Sequence, residues 1–213
     1  REKGFTRGNQ IMKEGGSIYD FYMVKWGGVN PDNGDAQYWI KNQATGQFEL
    51  KQSADYESVN SLQYAGSAIP DLQGGFGTTL HFYNFDLALQ FSYQLGGKFL
   101  DSQYMGLMQT GGNGRGWHTD IRNRWTPENT TSDIPRLEFA NQKVLSLSDR
   151  FIVSSNYLSL RNVSLGYTFK QGRVYVAGNN LAVFSKFKQW DPELNWNSYP
   201  LQQVYSLGFQ LHF

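Results

Sequence analysis

Cysteine is absent from the 213-residue sequence, which excludes a disulfide scaffold and a metal site built on thiolates. Charge of one sign is also lacking, because 19 Lys and Arg residues nearly balance 18 Asp and Glu residues. This balance gives no basic surface of the kind that binds nucleic acid. No apolar run approaches the roughly 18 residues that a transmembrane helix needs, and the mean hydropathy is −0.54. The sequence therefore predicts no membrane-spanning helix.

Aromatic residues and glycine are plentiful. Aromatics make up 16% of the sequence, with 13 Tyr, and Gly occurs 23 times. Aromatic side chains favour strands, and glycine favours turns. A membrane β-barrel combines both features, because its strands alternate lipid-facing with lumen-facing residues and carry aromatic girdles at the two interfaces. The low mean hydropathy is therefore compatible with an all-β transmembrane barrel.

The last ten residues, 204–213, show the period of a β-strand. Apolar side chains occupy every second position, and Ser206, Gly208 and Gln210 lie between them. The stretch has the length of a tilted transmembrane strand, roughly 9–11 residues, and ends on an aromatic side chain. We expect it to be the closing strand of an outer-membrane barrel and the signal that the barrel-assembly machinery reads. The residues of this predicted signal are Tyr205, Leu207, Phe209, Leu211 and Phe213.

Other stretches alternate in the same way. The predicted strands cover residues 17–29, 76–83, 85–96, 156–169 and 173–184. Tight turns are expected at Asn84 and at residues 170–172. The period slips by one near Arg161 and Asn162, which predicts a β-bulge. Residues 66–75 (GSAIPDLQGG) are predicted to form a loop that leads into a strand.

Two local patterns lie between the first strand and that loop. Residues 30–35 (NPDNGD) carry turn chemistry, because Pro fixes φ and Asn-Gly permits positive φ. Their clustered oxygens also suggest a calcium loop, but the EF-hand spacing is absent, and we favour a plain turn. Residues 36–41 and 47–51 flank Thr45 and Gly46 and predict a small hairpin.

The predicted connections alternate between short and long. Residues 97–154 form a long irregular stretch, in which residues 116–125 could hold a short helix, and residues 185–200 form a moderate loop. Long structureless segments are uncommon in compact soluble domains. Membrane barrels place long loops outside the cell and short turns in the periplasm, so the alternation favours an up-and-down barrel.

Several stretches resemble one family when they are taken together and in order. They are GSAIPDLQGGF (66–76), FYNFDLAL (82–89), NRWTPEN (123–129), DIPR (133–136), SDRF and NYLSLRNVSLGYTF (148–169), RVYVAGNNL (173–181) and DPE (191–193). With the terminal strand, they resemble the C-terminal part of a SusC/RagA-type TonB-dependent outer-membrane transporter.

This resemblance implies a barrel of about 22 strands around a plug, of which residues 1–213 would supply about the last six. The plug and the TonB-contacting segment would lie upstream. The sequence begins at Arg1 without Met or a signal peptide, and we interpret it as a processed or cut piece. The family imports oligosaccharides or peptides across the outer membrane of Bacteroidetes-type bacteria. Its implied partners are a SusD-like surface lipoprotein, TonB, outer-membrane lipid and the barrel-assembly machinery.

The sequence contains no catalytic constellation, so neither an enzyme nor a cofactor is predicted. The three histidines, His81, His118 and His212, are far apart in sequence. His118 and Asp120 share a loop, but two ligands define no metal site, and no metal is predicted.

Loop tryptophans and charges are the candidate substrate-binding residues: Trp117, Arg122, Arg124, Trp125, Trp190 and Asp191. Aromatic rings beside polar groups can stack on sugars or clamp a peptide. The simpler interpretation is that loop tryptophans pack their own loops or lie in an interfacial girdle. That interpretation is also the one we adopt for Trp26 and Trp39.

Two other classes of protein stay open from the sequence. A soluble carbohydrate-binding β-sandwich would also be rich in Tyr, Trp and Gly, but it would bury one face of each sheet. A small structural outer-membrane barrel would need about eight strands, more than the six predicted. The sequence does not distinguish a glycan from a peptide as the transported substrate.

Overall fold

The computed structural model describes residues 4–52, 61–108, 116–138, 148–187, 191–194 and 199–211. Contacts divide the chain into two compact units. The first unit comprises Arg1–Ala68 and Phe99–Val153, and the second comprises Ile69–Lys98 and Ser154–Phe213. Among the described residues, none of the helices has the length and apolar character needed to cross a membrane.

In the six-stranded and the five-stranded sheet, neighbouring strands pair antiparallel. In chain order the strands are β1 Gly4–Arg7, β2 Gln10–Lys13, β3 Asp20–Val29, β4 Ala36–Lys41, β5 Phe48–Gln52, β6 Leu62–Ser67, β7 Pro70–Phe82, β8 Phe85–Gly96, β9 Lys98–Leu100, β10 Ile152–Ser154, β11 Tyr157–Phe169, β12 Gly172–Ser185 and β13 Val204–Leu211. One α-helix, α1, spans Ser102–Leu107, and 3₁₀ turns span Thr119–Asn123 and Asp149–Phe151.

The first unit contains a six-stranded sheet in the order β1-β2-β3-β4-β5, with β6 also paired to β3. Its apolar core consists of Val24 of β3 and of Ala36, Tyr38 and Ile40, which occupy alternate positions of β4. The predicted strand at residues 17–29 begins three residues later than expected, at Asp20. The predicted hairpin at residues 36–51 is confirmed by the register of β4 with β5.

The turn at residues 30–35 is confirmed. The Asn30 N–H donates to the Asp35 carbonyl at 2.8 Å, and the Gly34 N–H donates to the Asn30 carbonyl at 2.8 Å. Gly34 has a φ of 77°, a conformation that a residue with a Cβ atom rarely adopts. A Cβ atom there would also lie 2.5 Å from the ring of Trp125. Glycine is therefore needed for both the turn and its packing.

The stretch 97–154 is more ordered than its sequence predicts. Besides α1 and the 3₁₀ turns, it holds a core cluster of Met108, Ile121, Ile134 and Phe151. The prediction of an irregular segment is wrong for these described parts, because four scattered apolar side chains converge without any local period. The turn Thr119–Asn123 lies inside residues 116–125, where a short helix was expected.

The second unit is a five-stranded sheet in the order β13-β12-β11-β8-β7. The tight turn at Asn84 is confirmed, since Phe82 pairs with Phe85. The short turn at residues 170–172 is confirmed as well, because Phe169 pairs with Gly172. The loop predicted for residues 66–75 is wrong: β6 extends to Ser67, and β7 begins at Pro70.

The bulge predicted at Arg161 is confirmed. The register of β11 shifts between Leu160 and Asn162 against both of its neighbours, β8 and β12. Leu160 and Val163 consequently pair with Phe91 and Leu89, which lie on the same face of β8. The bulge keeps the apolar face continuous while the Arg161 side chain reaches the opposite face.

Candidate functional site

One face of the five-stranded sheet is apolar from β7 to β13. Register places Leu80, Leu87, Leu165, Val176 and Leu207 in one row. Within the described strands, no charged side chain belongs to this face. Leu207 is 78% exposed and Phe209 is 73% exposed. A β-sandwich would bury such a face against a second sheet. Among the described residues, none buries Leu207 or Phe209 in this way.

Aromatic rings mark both ends of this apolar face. Towards one end, Phe85 and Tyr167 have ring centroids 4.8 Å apart; towards the other, Phe76 lies 6.2 Å from Tyr93. The ten-residue rise from Phe85 to Leu95 is about 33 Å along the strand, or about 25 Å upright at a barrel tilt. An apolar face of that height with aromatic rings towards both ends is typical of outer-membrane barrels.

The opposite face carries charged side chains that pair with each other. Asp86 of β8 accepts two hydrogen bonds from Arg173 of β12, and the one from Nε measures 3.1 Å. The pair passes over Gly166 of β11, where a Cβ atom would lie 2.5 Å from both partners. Arg173 also lies 5.2 Å from the ring of Tyr175. Glycine at position 166 therefore leaves the space in which Asp86 and Arg173 can form their ion pair across β11.

A second charged pair fixes a loop to this polar face. Arg161 donates from Nε to Ser92 Oγ at 2.8 Å and forms an ion pair with Glu193. The Glu193 side chain is only 7% exposed, and its N–H donates to Asp191 Oδ1 at 3.0 Å. Asp191, a predicted substrate-binding residue, therefore shapes the turn that presents Glu193.

Neither charged pair was predicted from the sequence. Asp86 and Arg173 are 87 residues apart, so only the strand register shows that they meet. The bulge beside Arg161 and the Asp-Pro-Glu run containing Glu193 were both visible, but nothing in the sequence joins them. Such links between distant strands depend on pairing that no local pattern encodes.

Four of the predicted substrate-binding residues lie on one segment of the first unit. Trp117 is 46% exposed, Arg122 belongs to the exposed side of the turn Thr119–Asn123, and Arg124 follows it. Buried Ile121 attaches this segment to its core. Asp191 belongs to the second unit, and Trp190 lies outside the described residues. Contact of these residues with a substrate stays a prediction.

Trp125 differs from Trp117 in its surroundings. Its Nε1–H donates to the Pro31 carbonyl at 2.9 Å, and its ring covers Gly34. Next to it, Arg136 forms an ion pair with Asp35 at 2.9 Å. Trp125 therefore holds the turn at residues 30–35 against the segment at 125–136, a packing role that Trp117 does not share.

Tyr104, His118 and Asp120 form a hydrogen-bonded group beside α1. Tyr104 donates its hydroxyl hydrogen to Asp120 Oδ2 at 2.8 Å, and the Asp120 N–H donates to His118 Nδ1 at 3.2 Å. Burial and the bond to Asp120 raise the pKa of Tyr104 to about 12. The described residues contain no group of three or more potential metal ligands, and this group supports the conformation of the loop.

Arg150 is enclosed by two aromatic rings in the same unit. Its guanidinium carbon lies 4.6 Å from the ring of Trp26 and 5.2 Å from that of Phe151, while Nη2 donates to the Asp133 carbonyl at 3.0 Å. Burial lowers the pKa of Arg150 from its usual value. Trp26 thus packs the loops, as the sequence-based interpretation expected.

The residues of the predicted assembly signal lie on β13. Tyr205, Leu207, Phe209 and Leu211 all belong to the apolar face and are exposed. Phe213 lies outside the described residues. In the described sheet, β13 pairs with β12 on one side and forms the edge on the other.

No family model matches the sequence, but curated relatives do. The chain is 27% identical over 238 residues to TonB-dependent receptor P3 of Formosa agariphila, covering 97% of the chain and 23% of that receptor. It is 30% identical over 184 residues to TonB-dependent receptor P26 of the same organism, covering 73% of the chain and 18% of the receptor. With TonB-dependent receptor SusC of Bacteroides thetaiotaomicron, identity is 32% over 100 residues, which cover 40% of the chain and 10% of SusC.

Solved structures share the fold. The structure of the RagAB peptide transporter superposes with a TM-score of 0.80 at 24% identity, covering 97% of the chain and 24% of the matched chain. The closed-closed state of the RagAB peptide importer gives 0.79 at 23% identity, with the same coverage. The chain spans about a fifth of the length of the two Formosa receptors. Its sequence relatives and its fold together place it in the SusC/RagA-type family of TonB-dependent outer-membrane β-barrel proteins, where it corresponds to a C-terminal part of the barrel.

Proposed function

We propose that this chain forms part of the barrel wall of a transporter that imports a nutrient across the outer membrane with energy delivered through TonB. The observation that carries the proposal is the two-faced sheet, apolar on one side and ion-paired on the other. The names of the relatives support it, since they are receptors that depend on TonB and an importer of peptides.

The apolar face meets lipid, and the polar face lines the lumen. An arginine or aspartate in contact with hydrocarbon is costly, and the cost is largest at mid-membrane. The Asp86–Arg173 and Arg161–Glu193 pairs both lie on the polar face. A wall with this distribution of charge separates lipid from an aqueous or protein-filled interior.

The direction of the sheet follows from its connections. Residues 83–84 and 170–171 join adjacent strands by short turns, whereas residues 97–154 and 186–203 leave the opposite end. Short turns of outer-membrane barrels face the periplasm, and long loops face the exterior. We therefore place the Asn84 and Gln171 turns in the periplasm and both long connections outside the cell.

The long connections hold the substrate and a SusD-like lipoprotein. A large polar solute needs a concave site with aromatic and polar groups, and the exposed indole of Trp117 and the exposed Arg122 on the same segment supply such groups. The substrate is an oligosaccharide or a peptide. The Arg161–Glu193 pair contributes by fixing the 191–194 turn, which follows Trp190, to the lumen wall.

Replacing Trp117 and Trp190 together by alanine is expected to weaken substrate binding by the purified full-length complex. Each lost stacking contact is worth roughly 0.5–1.5 kcal/mol beyond lost area, so affinity should fall about 5- to 150-fold for the pair. Isothermal titration with the cognate oligosaccharide or peptide measures the loss, and growth on that nutrient reports its consequence.

Trp125→Phe is the matched control for this double variant. It removes the indole N–H that bonds to the Pro31 carbonyl and keeps an aromatic ring, so it should lower the stability of the loop without a comparable loss of affinity. If the Trp117 and Trp190 variant binds substrate, retains the lipoprotein and supports growth as the wild type does, the substrate site lies elsewhere in the barrel or plug.

A further inference from the structure

A groove of about 530 Å³ opens on the apolar face of the five-stranded sheet. Side chains of four adjacent strands line it, among them Phe76, Tyr93, Leu95, Leu158 and Phe184. Because β7, β8, β11 and β12 all contribute, the groove spans four of the five strands, from the edge strand β7 to β12. A further strand that joins the sheet at β7 to complete a barrel would lie beside Phe76 in the same sheet, so it would extend the apolar face and not cover it.

The groove lies at the end of the sheet from which the long connections leave. Phe184 pairs with Leu158, and Leu158 pairs with Tyr93, only a few residues before β12 and β8 end. Its walls form the aromatic girdle of that end, where Phe76 lies 6.2 Å from Tyr93. In the proposed orientation this is the level of the outer leaflet.

One positively charged side chain stands at the rim. Lys186 follows Phe184 by two residues, so it lies on the same face just beyond β12, and it is exposed. The hydroxyl of Ser185, next to Lys186 in sequence, donates a hydrogen bond to the Asn156 carbonyl at 2.8 Å. Among the residues that the structure describes, no acidic side chain lines the groove. An apolar cleft with a cation at its headgroup end complements an anionic lipid.

We propose that this groove binds the phosphorylated glycolipid of the outer leaflet, lipopolysaccharide, with an acyl chain along Phe76, Leu158 and Phe184 and a phosphate against Lys186. The proposal rests on the proposed function, since it requires the apolar face to meet lipid and the long connections to lie outside. The site would act as a specific lipid contact of the barrel wall, separate from the lumen where substrate passes.

The test uses the full-length transporter, purified in detergent, depleted of lipid and titrated with purified lipopolysaccharide while native mass spectrometry counts the bound lipid. Lys186→Gln should weaken binding about five-fold, the effect of one basic residue near an anionic lipid surface. Leu158→Trp should fill the groove and lower occupancy while it keeps the face apolar. Lys170→Gln removes an exposed lysine at the opposite end of the sheet and should leave binding unchanged.

A second titration uses lipopolysaccharide stripped of its lipid A phosphates. The stripped lipid should bind the wild type as weakly as intact lipopolysaccharide binds Lys186→Gln. Its affinity for the wild type and for Lys186→Gln should be equal. Substrate uptake should stay at the wild-type level in Leu158→Trp, because Leu158 belongs to the apolar face of β11 and to neither long connection. These results would assign the phosphate to Lys186.

Wild-type affinity in both Lys186→Gln and Leu158→Trp would overturn the proposal. Equal occupancy by phosphatidylethanolamine would also overturn it, because the groove would then select acyl chains without regard to the headgroup. If the transporter assignment itself is wrong, spin labels placed at Leu87 and Leu207 of the apolar face will be shielded from lipid, whatever the lipopolysaccharide titration gives. The failure of the lipid site and the failure of the transporter assignment are therefore distinguishable.

Discussion

Replacing Leu89 by arginine is expected to destabilise the folded barrel by about 2–4 kcal/mol, the cost of a lipid-facing arginine near the membrane midplane. Leu89 pairs with Val163 on one side and Thr78 on the other, in the middle of the apolar face and between the two aromatic girdles. No anion lies within this face in the described strands, so the guanidinium would meet hydrocarbon without a partner. Reversible unfolding of the full-length protein in lipid vesicles, followed by tryptophan fluorescence, measures the loss.

Gln90→Arg is the matched control, because it introduces the same side chain one residue later. Gln90 pairs with Asn162 and Gly77, and period two assigns it to the polar face. There the arginine can be solvated or can find carboxylate partners. The free energy of unfolding of this variant should therefore lie within about 1 kcal/mol of the wild-type value. Equal destabilisation by the two substitutions, or the reverse order, would contradict the assignment of the two faces.

Replacing Leu207, Phe209 and Leu211 together by serine should greatly reduce the amount of barrel inserted in the outer membrane, while the amount of protein synthesised stays the same. These side chains form the exposed apolar row of β13, and we propose that the assembly machinery recognises this row. Deleting Phe213 should act in the same direction. Surface labelling of intact cells, compared with total protein by immunoblotting, separates failed insertion from failed synthesis.

The control for this experiment introduces serine on the polar face of the same strand. Gln210→Ser changes a residue of the same strand on the polar face, where it pairs with Arg173, and it should leave the amount of inserted barrel unchanged. Normal surface levels of the triple-serine variant would show that the apolar row of β13 is not the assembly signal.

The strands were predictable where side chains alternate strongly. The period of β8 and the slip at Arg161 each correspond to a feature of the register. The start of β7 was not predictable, because Gly74 and Gly75 give no apolar or polar signal at their positions. The ring of Tyr93 fills the space above Gly74, where a Cβ atom would lie 3.0 Å from the Tyr93 hydroxyl oxygen. Cross-strand packing of this kind decides the conformation of a glycine-rich stretch and is invisible in a local pattern.

The loops and the charged pairs depend on contacts between distant residues. The sequence offers no way to separate Trp117 from Trp125, yet only Trp125 covers Gly34 and bonds to Pro31. Likewise, Gly166 allows Asp86 to reach Arg173 across a strand. To predict these roles, one must know which distant segments are in contact. Sequence periodicity predicts only the face of the strand on which a residue lies.

The most direct test of the central claim, that the apolar face meets lipid and the polar face the lumen, is a spin-label accessibility measurement. The sequence contains no cysteine, so single cysteines can be introduced without background from this part of the protein. Leu87 and Leu207 share one row of the apolar face, and Ala88 and Ser206 share the adjacent row of the polar face. The full-length protein, labelled at one site at a time in lipid vesicles, is exposed to oxygen and to a water-soluble nickel chelate.

Labels at Leu87 and Leu207 should collide with oxygen and be protected from the nickel chelate, because oxygen concentrates in hydrocarbon and the chelate does not. Labels at Ala88 and Ser206 should show low oxygen accessibility. The same pattern at all four positions, or oxygen accessibility at Ala88 and Ser206 alone, would contradict the account.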